Sequence, residues 1–231
     1  MISYLDWDSN FFGLKIGKIE MNISTINDMV EIEKLKIADE YDLVYLFIDK
    51  LDNSTIEWLE KKGVNLVDQK VIYQKNLVDH QIETMLRIEK YNGDVTPKLL
   101  ELAIESGHKS RFMKDIRLTS RFIDLYRLWI EKSVNGELAD ELLVSYYNTE
   151  ITGFVTLKKN KKIGTIGLIA VDKNFRGIGI GRGLLIAAEN WFKSNNCNKM
   201  SVITQQENIE ACRLYLRSGF KILKSQSIFH Y

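Results

Sequence analysis

Residues 171–183 read Val171-Asp-Lys-Asn-Phe-Arg176-Gly-Ile-Gly-Ile-Gly-Arg-Gly183, and this stretch decides the fold. It follows an apolar run ending Leu168, Ile169, Ala170, Val171, and precedes a segment with good helix formers from about Arg182 to Lys193. Glycines let backbone N–H groups approach a ligand, and the start of a helix adds unpaired donors at its positive dipole end. The combination suits a pyrophosphate. A dinucleotide fingerprint needs GxGxxG, but its third glycine falls on Arg182 or Leu184 in either register. A nucleoside-triphosphate loop needs Gly-Lys-Ser/Thr after four spacers, which is absent from this stretch. The spacing that fits is Arg/Gln-x-x-Gly-x-Gly/Ala, with Arg176, Gly179 and Gly181.

Upstream of the loop, Leu142 to Tyr147, Ile151 to Leu157 and Ile163 to Val171 read as three strands, with connections short enough for antiparallel hairpins. Before them, Thr96-Pro97 supplies an N-cap and first-turn proline for a helix ending near Gly107. Phe122, Leu125, Tyr126, Trp129, Ile130 and Val134 predict a second helix that Gly136 stops. Arg111 to Thr119 between them reads as irregular. Downstream come a strand at Met200 to Thr204, a helix at Ile209 to Arg217 closed by Gly219, and an extended tail from Phe220 to Tyr231.

The best internal break is Asn92-Gly93-Asp94. Ahead of it, Ile19, Met21 and Ile23 alternate as a half-buried strand, and Leu43 to Ile48 reads as a fully buried one. Ser54-Thr-Ile-Glu57 has capping-box spacing, with Gly63 as the stop and Val64 to Tyr73 extended. Trp58 to Val64 echoes Leu214 to Phe220, each a helix ending on glycine before a strand.

With 32 basic and 31 acidic residues the net charge is +1, so no global field draws nucleic acid or an anionic membrane. The apolar runs fall short of the ~20 residues of a bilayer span. No secretory leader is read at the amino terminus. Only Cys197 and Cys212 occur, and His80, His108 and His230 stand apart, so neither a disulfide scaffold nor a zinc site is expected. The expectation is a cytoplasmic protein without metal.

The loop and the element order around it resemble the GCN5-related N-acetyltransferases (GNAT), which bind acyl-CoA, over roughly residues 86–231. Trp7 to Gly13, Ser110-Arg-Phe112, Phe122 to Gly136 and Thr204 to Tyr231 further resemble the bacterial dTDP-fucosamine acetyltransferase family across most of the chain. The resemblance implies an α/β (α+β) GNAT fold: a mixed, mostly antiparallel sheet flanked by helices at residues 86–231, preceded by a truncated GNAT-like α/β domain at residues 1–85. It also implies a homodimer. The expected reaction moves an acyl group, acetyl or a larger hydroxyacyl, from acetyl-CoA or another acyl-CoA to the amine of a dTDP-amino sugar for cell-surface polysaccharide synthesis.

Such chemistry needs a neutral amine, a stabilised oxyanion and a proton for the departing thiolate. Backbone N–H groups at Leu168, Ile169, Ala170 and Val171 can pair with the pantetheine arm as an added strand, and one can polarise the thioester carbonyl. The phosphates would meet Arg176, Gly177, Ile178, Gly179, Ile180, Gly181, Arg182 and Gly183. Asn208 caps the helix it opens and, in the resemblance, touches the cofactor. In the same resemblance Tyr215 faces the sulfur and is the general acid; taken alone, a core tyrosine is the commoner role. Ser110, Arg111 and Phe112, within the basic stretch Lys109 to Arg117, are candidate substrate contacts, against the plainer reading of a solvated loop. Trp7, Phe11 and Phe12 read as core anchors. No general base is legible. Transfer to another amine, or acyl-CoA binding without catalysis, stays compatible with these residues.

Overall fold

A computed structural model of the protein describes residues 1–20, 26–78 and 83–231. The chain opens with Ser3–Tyr4 (β1), a helix Asp6–Phe12 (α1) and Ile16–Glu20 (β2). Ile19 lies in β2, whereas Met21 and Ile23 of the expected strand fall outside the described residues. Ile26–Ala38 (α2), Leu43–Ile48 (β3), Asn53–Lys61 (α3) and Leu66–Asn76 (β4) complete the first part. Leu43–Ile48 is buried at all six positions, as its unbroken apolar run requires. The cap of α3 differs from the expected capping box. Asp52, two residues ahead of Ser54, accepts the Thr55 N–H at 2.6 Å, and Ser54 donates its hydroxyl to the same carboxylate. A carboxylate outcompetes a hydroxyl for the orphan donors because its bonds are charge-assisted.

The second part runs Ile88–Lys90 (β5), Pro97–Ser106 (α4), Arg111–Lys114 (α5), Ile116–Thr119 (α6), Phe122–Val134 (α7), Glu141–Tyr147 (β6), Glu150–Asn160 (β7) and Ile163–Val171 (β8). Ile180–Ser194 (α8), Lys199–Gln205 (β9), Ile209–Arg217 (α9) and Lys221–His230 (β10) follow. Thr96 caps α4 through the Leu99 N–H at 3.2 Å, as expected. The stretch expected to be irregular forms two single-turn helices instead, because Asp115 caps the second by accepting the Arg117 N–H at 2.9 Å.

All ten strands form one sheet in the order β1-β2-β3-β10-β4-β9-β8-β7-β6-β5. The sheet therefore runs across the sequence break. The units β3-α3-β4 and β9-α9-β10 exchange their last strands: β10 lies beside β3, and β4 lies beside β9. Strands β4 and β10 pair antiparallel at the centre of this exchange, which is where the helix–glycine–strand echo of the sequence sits.

Two faces result. On one, α8 and α9 cover Val71, Tyr73, Leu157, Ile166 and Val202, while Val44, Leu46 and Ile48 pack with residues of α2 and α3. On the other, Tyr45, Phe47 and Ile228 pack under α5 to α7, and Val144 and Phe154 under α4 and α7. The aromatics of α1 are not all core. Trp7 is 44% exposed, stacked on Phe11 at 5.0 Å, and Phe12 stacks on Phe112 at 5.9 Å. These rings join the first part to the Ser110–Phe112 segment rather than filling the first part's own centre.

Ile228 is fully buried on β10, a strand of the second part held between β3 and β4 of the first. Ile228→Ala is expected to lower stability by about 2–5 kcal/mol, read as a shifted midpoint of a single urea transition. Two separated transitions would show that the shared sheet does not couple the parts.

Candidate active site

The cleft begins where two parallel strands part. β8 pairs with β9 only from Ile163 to Ile166, opposite Lys199 to Val202. Beyond that point a bulge intervenes: Gly167 and Leu168 together oppose Thr156 of β7, and the Leu168 N–H donates to Thr156 Oγ1 at 2.7 Å. A bulge sharpens strand twist, so β8 swings away from β9 at Gly167. The edge of β8 from Gly167 to Val171 that faces β9 is left without a strand partner. The opening has a volume of about 950 Å³ and is lined by residues from both faces of the sheet.

The glycine loop closes one end. Gly177 and Gly179 sit at φ 81° and 94°, a region that L side chains rarely adopt, and an added Cβ at either would meet nothing within 4 Å. Their backbone is thus open to a ligand. Helix α8 starts at Ile180, two residues earlier than expected, so Gly179 is its N-cap and the helix dipole points its positive end at the loop. Arg176 donates from Nε to the Val171 carbonyl at 3.1 Å and pairs with Glu105 at 2.6 Å. Asp172 anchors the same corner, accepting the Asn174 N–H at 2.7 Å and pairing with Lys98.

Of the residues expected at the cofactor, Leu168 to Val171, Arg176, Gly177, Gly179, Ile180, Gly181, Arg182 and Asn208 all line the cleft. Ile178 and Gly183 do not. Ile178 points outward at 63% exposure. A Cβ on Gly183 would come within 2.6 Å of Leu86 Cδ1, so that glycine permits α8 to pack on the segment leading into β5. Asn208 caps α9 through the Ala211 N–H. Arg213 and Arg217 of α9 add positive charge to the same lining.

Tyr215 lines the cleft from α9, packed at 5.5 Å from the Tyr73 ring and 5.7 Å from Phe220. It is 2% exposed, and burial pushes its phenol well above the usual value, so it stays protonated at neutral pH. Ser110, Arg111 and Phe112 line the opposite end, from the α4–α5 junction. His108 and Lys109 do likewise. Lys114 and Arg117 of the same basic stretch line a separate hollow instead; Lys114 pairs with Glu207 and Arg117 with Asp115, at 2.8 Å each.

One cleft residue carries no mark in the sequence. Asp68 of β4 is buried and lines the cleft together with Arg111. Burial raises its carboxyl to about 6, against the pull of the Lys114 and Arg111 charges. Among the described residues no cluster of three His, Cys, Asp or Glu side chains suits a metal; His80 falls outside them. No helix there is long and apolar enough to cross a membrane.

An open strand edge running into a glycine-lined helix start, with a buried tyrosine in the lining, is the layout of an acyl-CoA transferase. Comparison with known proteins places the chain by family. The model of the acetyltransferase (GNAT) family matches residues 102–220, more than half of the chain, and the protein belongs to that family. It is 25% identical to the dTDP-fucosamine acetyltransferase of Escherichia coli O6:H1 over 223 residues, covering 96% of this chain and 93% of the relative. It is 29% identical over 139 residues to the spore coat polysaccharide biosynthesis protein SpsD of Bacillus subtilis, covering 60% of this chain but 47% of that protein. The chain thus spans about half of one relative and nearly all of the other. A conserved Staphylococcus epidermidis protein of unknown function shares the fold at a TM-score of 0.63 and 16% identity, covering 93% of this chain and 82% of that one. A tandem GNAT protein of clavulanic acid biosynthesis does so at 0.53 and 9%, covering 95% and 75%.

Gly179→Val places a β-branched residue at φ 94° without disturbing any neighbour. CoA affinity by titration calorimetry is expected to fall at least about tenfold with the circular dichroism spectrum unchanged; unaltered affinity would remove the loop from the cofactor site.

Proposed function

We propose that this acetyltransferase-family protein moves an acetyl group from acetyl-CoA to the amine of a dTDP-linked amino-dideoxysugar, a step of cell-surface polysaccharide synthesis. The observation that carries the reading is one cleft lined by residues from both faces of the sheet. Its glycine-loop end suits a pyrophosphate and its Ser110–Phe112 end offers a guanidinium, a hydroxyl and a ring. Near-full-length similarity to a protein named for dTDP-fucosamine supports the acceptor class. Residues 1–85 are, in this reading, a truncated copy of the catalytic unit at 86–231 whose last strand is given to the shared sheet.

The residues present fit acetyl-CoA. The pyrophosphate would be held by the backbone N–H groups of residues 177–181, with Arg182 beside them, and the pantetheine amides by the free edge of β8. Bound there, acetyl-CoA supplies the acyl group as a thioester. The β8 backbone orients the carbonyl and offers it a hydrogen bond. Tyr215 holds its proton toward the sulfur. Its raised pKa makes the phenol a hydrogen-bond donor that stabilises the thiolate as it forms, and it releases the proton only as negative charge develops beside it.

Tyr215→Phe is expected to keep CoA affinity within about twofold and to lose about 100-fold or more in kcat; unchanged turnover would sink the role. The substrate is tested by thiol release from acetyl-CoA with dTDP-3-amino and dTDP-4-amino sugars, against spermidine and a lysine peptide. Release with one dTDP sugar alone supports the reading. Release with spermidine or the peptide alone overturns the sugar assignment.

A further inference from the structure

Among the described residues four carboxylates are buried: Asp68, Asp115, Asp172 and Glu189. Three are neutralised by partners. Asp115 holds Arg117 at 2.8 Å and His230 at 2.6 Å, Asp172 holds Lys98, and Glu189 holds Lys75 at 2.6 Å and Lys193 at 3.5 Å. Asp68 makes no ion pair, is 5% exposed, and its Oδ1 has no hydrogen-bond partner. An unpaired buried carboxylate costs stability, so a packing role does not account for it.

Its placement is specific. A bulge on β4 lies beside it: Asp68 opposes Ile228 and Leu66 opposes Phe229, leaving Val67 as the extra residue. Bulges re-aim the side chains next to them. Ile228 packs under α5 to α7, so Asp68 faces the acceptor end of the cleft, while Tyr215 belongs to the cluster covered by α8 and α9. The groups acting on Asp68 are Lys114 and Arg111 of α5, Glu207 after β9 and Gln205 of β9; Tyr126 of α7 in turn feels the charge of Asp68. Lys114 is already engaged by Glu207 at 2.8 Å. Arg111 lies over the Tyr45 and Phe112 rings with its Nε unpartnered. A carboxylate oxygen and a guanidinium N–H thus lie buried and unpartnered in the lining of one cleft.

We propose that Asp68, supplied by the amino-terminal part, receives the acceptor's ammonium group and takes its proton, making the amine nucleophilic, while Arg111 holds an oxygen of the same acceptor. This rests on the reading of the cleft as an acyltransferase site. The ammonium gives one proton to the Asp68 carboxylate. The freed nitrogen pair bonds the thioester carbon and the carbon–sulfur bond breaks. Sulfur receives the Tyr215 proton, and the second proton leaving the nitrogen restores the phenol through water. Asp68 then returns its own proton to solvent, so the net products are amide, CoA thiol and one proton. With a carboxyl near 6, Asp68 is ionised at neutral pH and more basic than an ordinary aspartate.

The test compares wild type, Asp68→Asn and Asp68→Glu on whichever amine of the panel above is acetylated. In wild type, kcat/KM should fall on the acid side with an apparent pKa near 6. Asp68→Asn should lose about 100-fold or more at pH 7 and lack that limb, with CoA affinity kept and partial recovery in Asp68→Glu. Stability supplies a substrate-free arm. A carboxyl raised in the folded state destabilises it progressively as pH climbs from the unfolded value near ~4 through about 6. The Tm difference between Asp68→Asn and wild type should therefore move in the variant's favour from pH 5 to pH 8. Full activity of Asp68→Asn with the wild-type profile, or a Tm difference independent of pH, overturns the inference while leaving the substrate reading standing. Acetylation of a different amine that still needs Asp68 overturns the dTDP-sugar reading and supports the inference. Acetylation of no amine sinks both.

Discussion

The structure depends on two strands being unable to stay paired. Thr156 accepts the Leu168 N–H with its hydroxyl, a bond that fixes two residues of β8 opposite one of β7. The same contact explains Gly167, where a Cβ would lie 2.8 Å from Thr156 Oγ1. With β8 turned away, its edge keeps unpaired backbone groups that a protein interior would not tolerate without water or a ligand. An extended amide-bearing chain has the groups to satisfy them. The cleft is thus a consequence of local hydrogen bonding, and the glycine loop lies at its end because β8 runs there.

Parting the strands creates a second problem on β9. Past Val202 it has lost its partner on one side, and an unpaired strand on both edges would invite aggregation. Strand β4 covers the other edge along the whole of β9, from Lys70–Gln205 to Asn76–Lys199. β10 then takes the place beside β3 that β4 has left. The exchange merges the two sequence units into one sheet and brings a strand of the first into the wall of the cleft. A fragment beginning at residue 86 would leave β9 uncovered and a mouth of the cleft open to water.

Local patterning made most of the fold legible. Thr96-Pro97, the stop at Gly136 and the two hairpins of β6 to β8 are decided within a few residues, and the expected ranges hold there to within a few positions. The expectations that failed are those where a neighbour distant in sequence, or a competing group close by, decides. Asp52 displaced the capping box because a carboxylate stood two residues ahead of it. Trp7 stayed half outside because its helix packs across to Phe112 rather than inward. The strand exchange left only the faint echo of Trp58–Gly63 in Leu214–Gly219, since propensity and alternation carry no information about which strand lies beside which.

The site divides along a similar line. The glycine-loop end is built from backbone: two glycines at positive φ, a helix start and a free strand edge. Backbone geometry of that kind needs particular residues at fixed spacing, so it writes a motif that can be read from one sequence. The other end is built from side chains on elements that meet only in three dimensions, Asp68 on β4 and Ser110, Arg111 and Phe112 before α7. Any strand can place a polar residue at one alternate position, so Asp68 in Leu66–Asn76 reads as a solvent-facing aspartate until β4 is set beside β9. The matched family segment, residues 102–220, contains the whole of the first construction and omits Asp68 from the second. The glycine-loop end accordingly lies inside the family segment, while the other end draws on residues that include a strand from outside it.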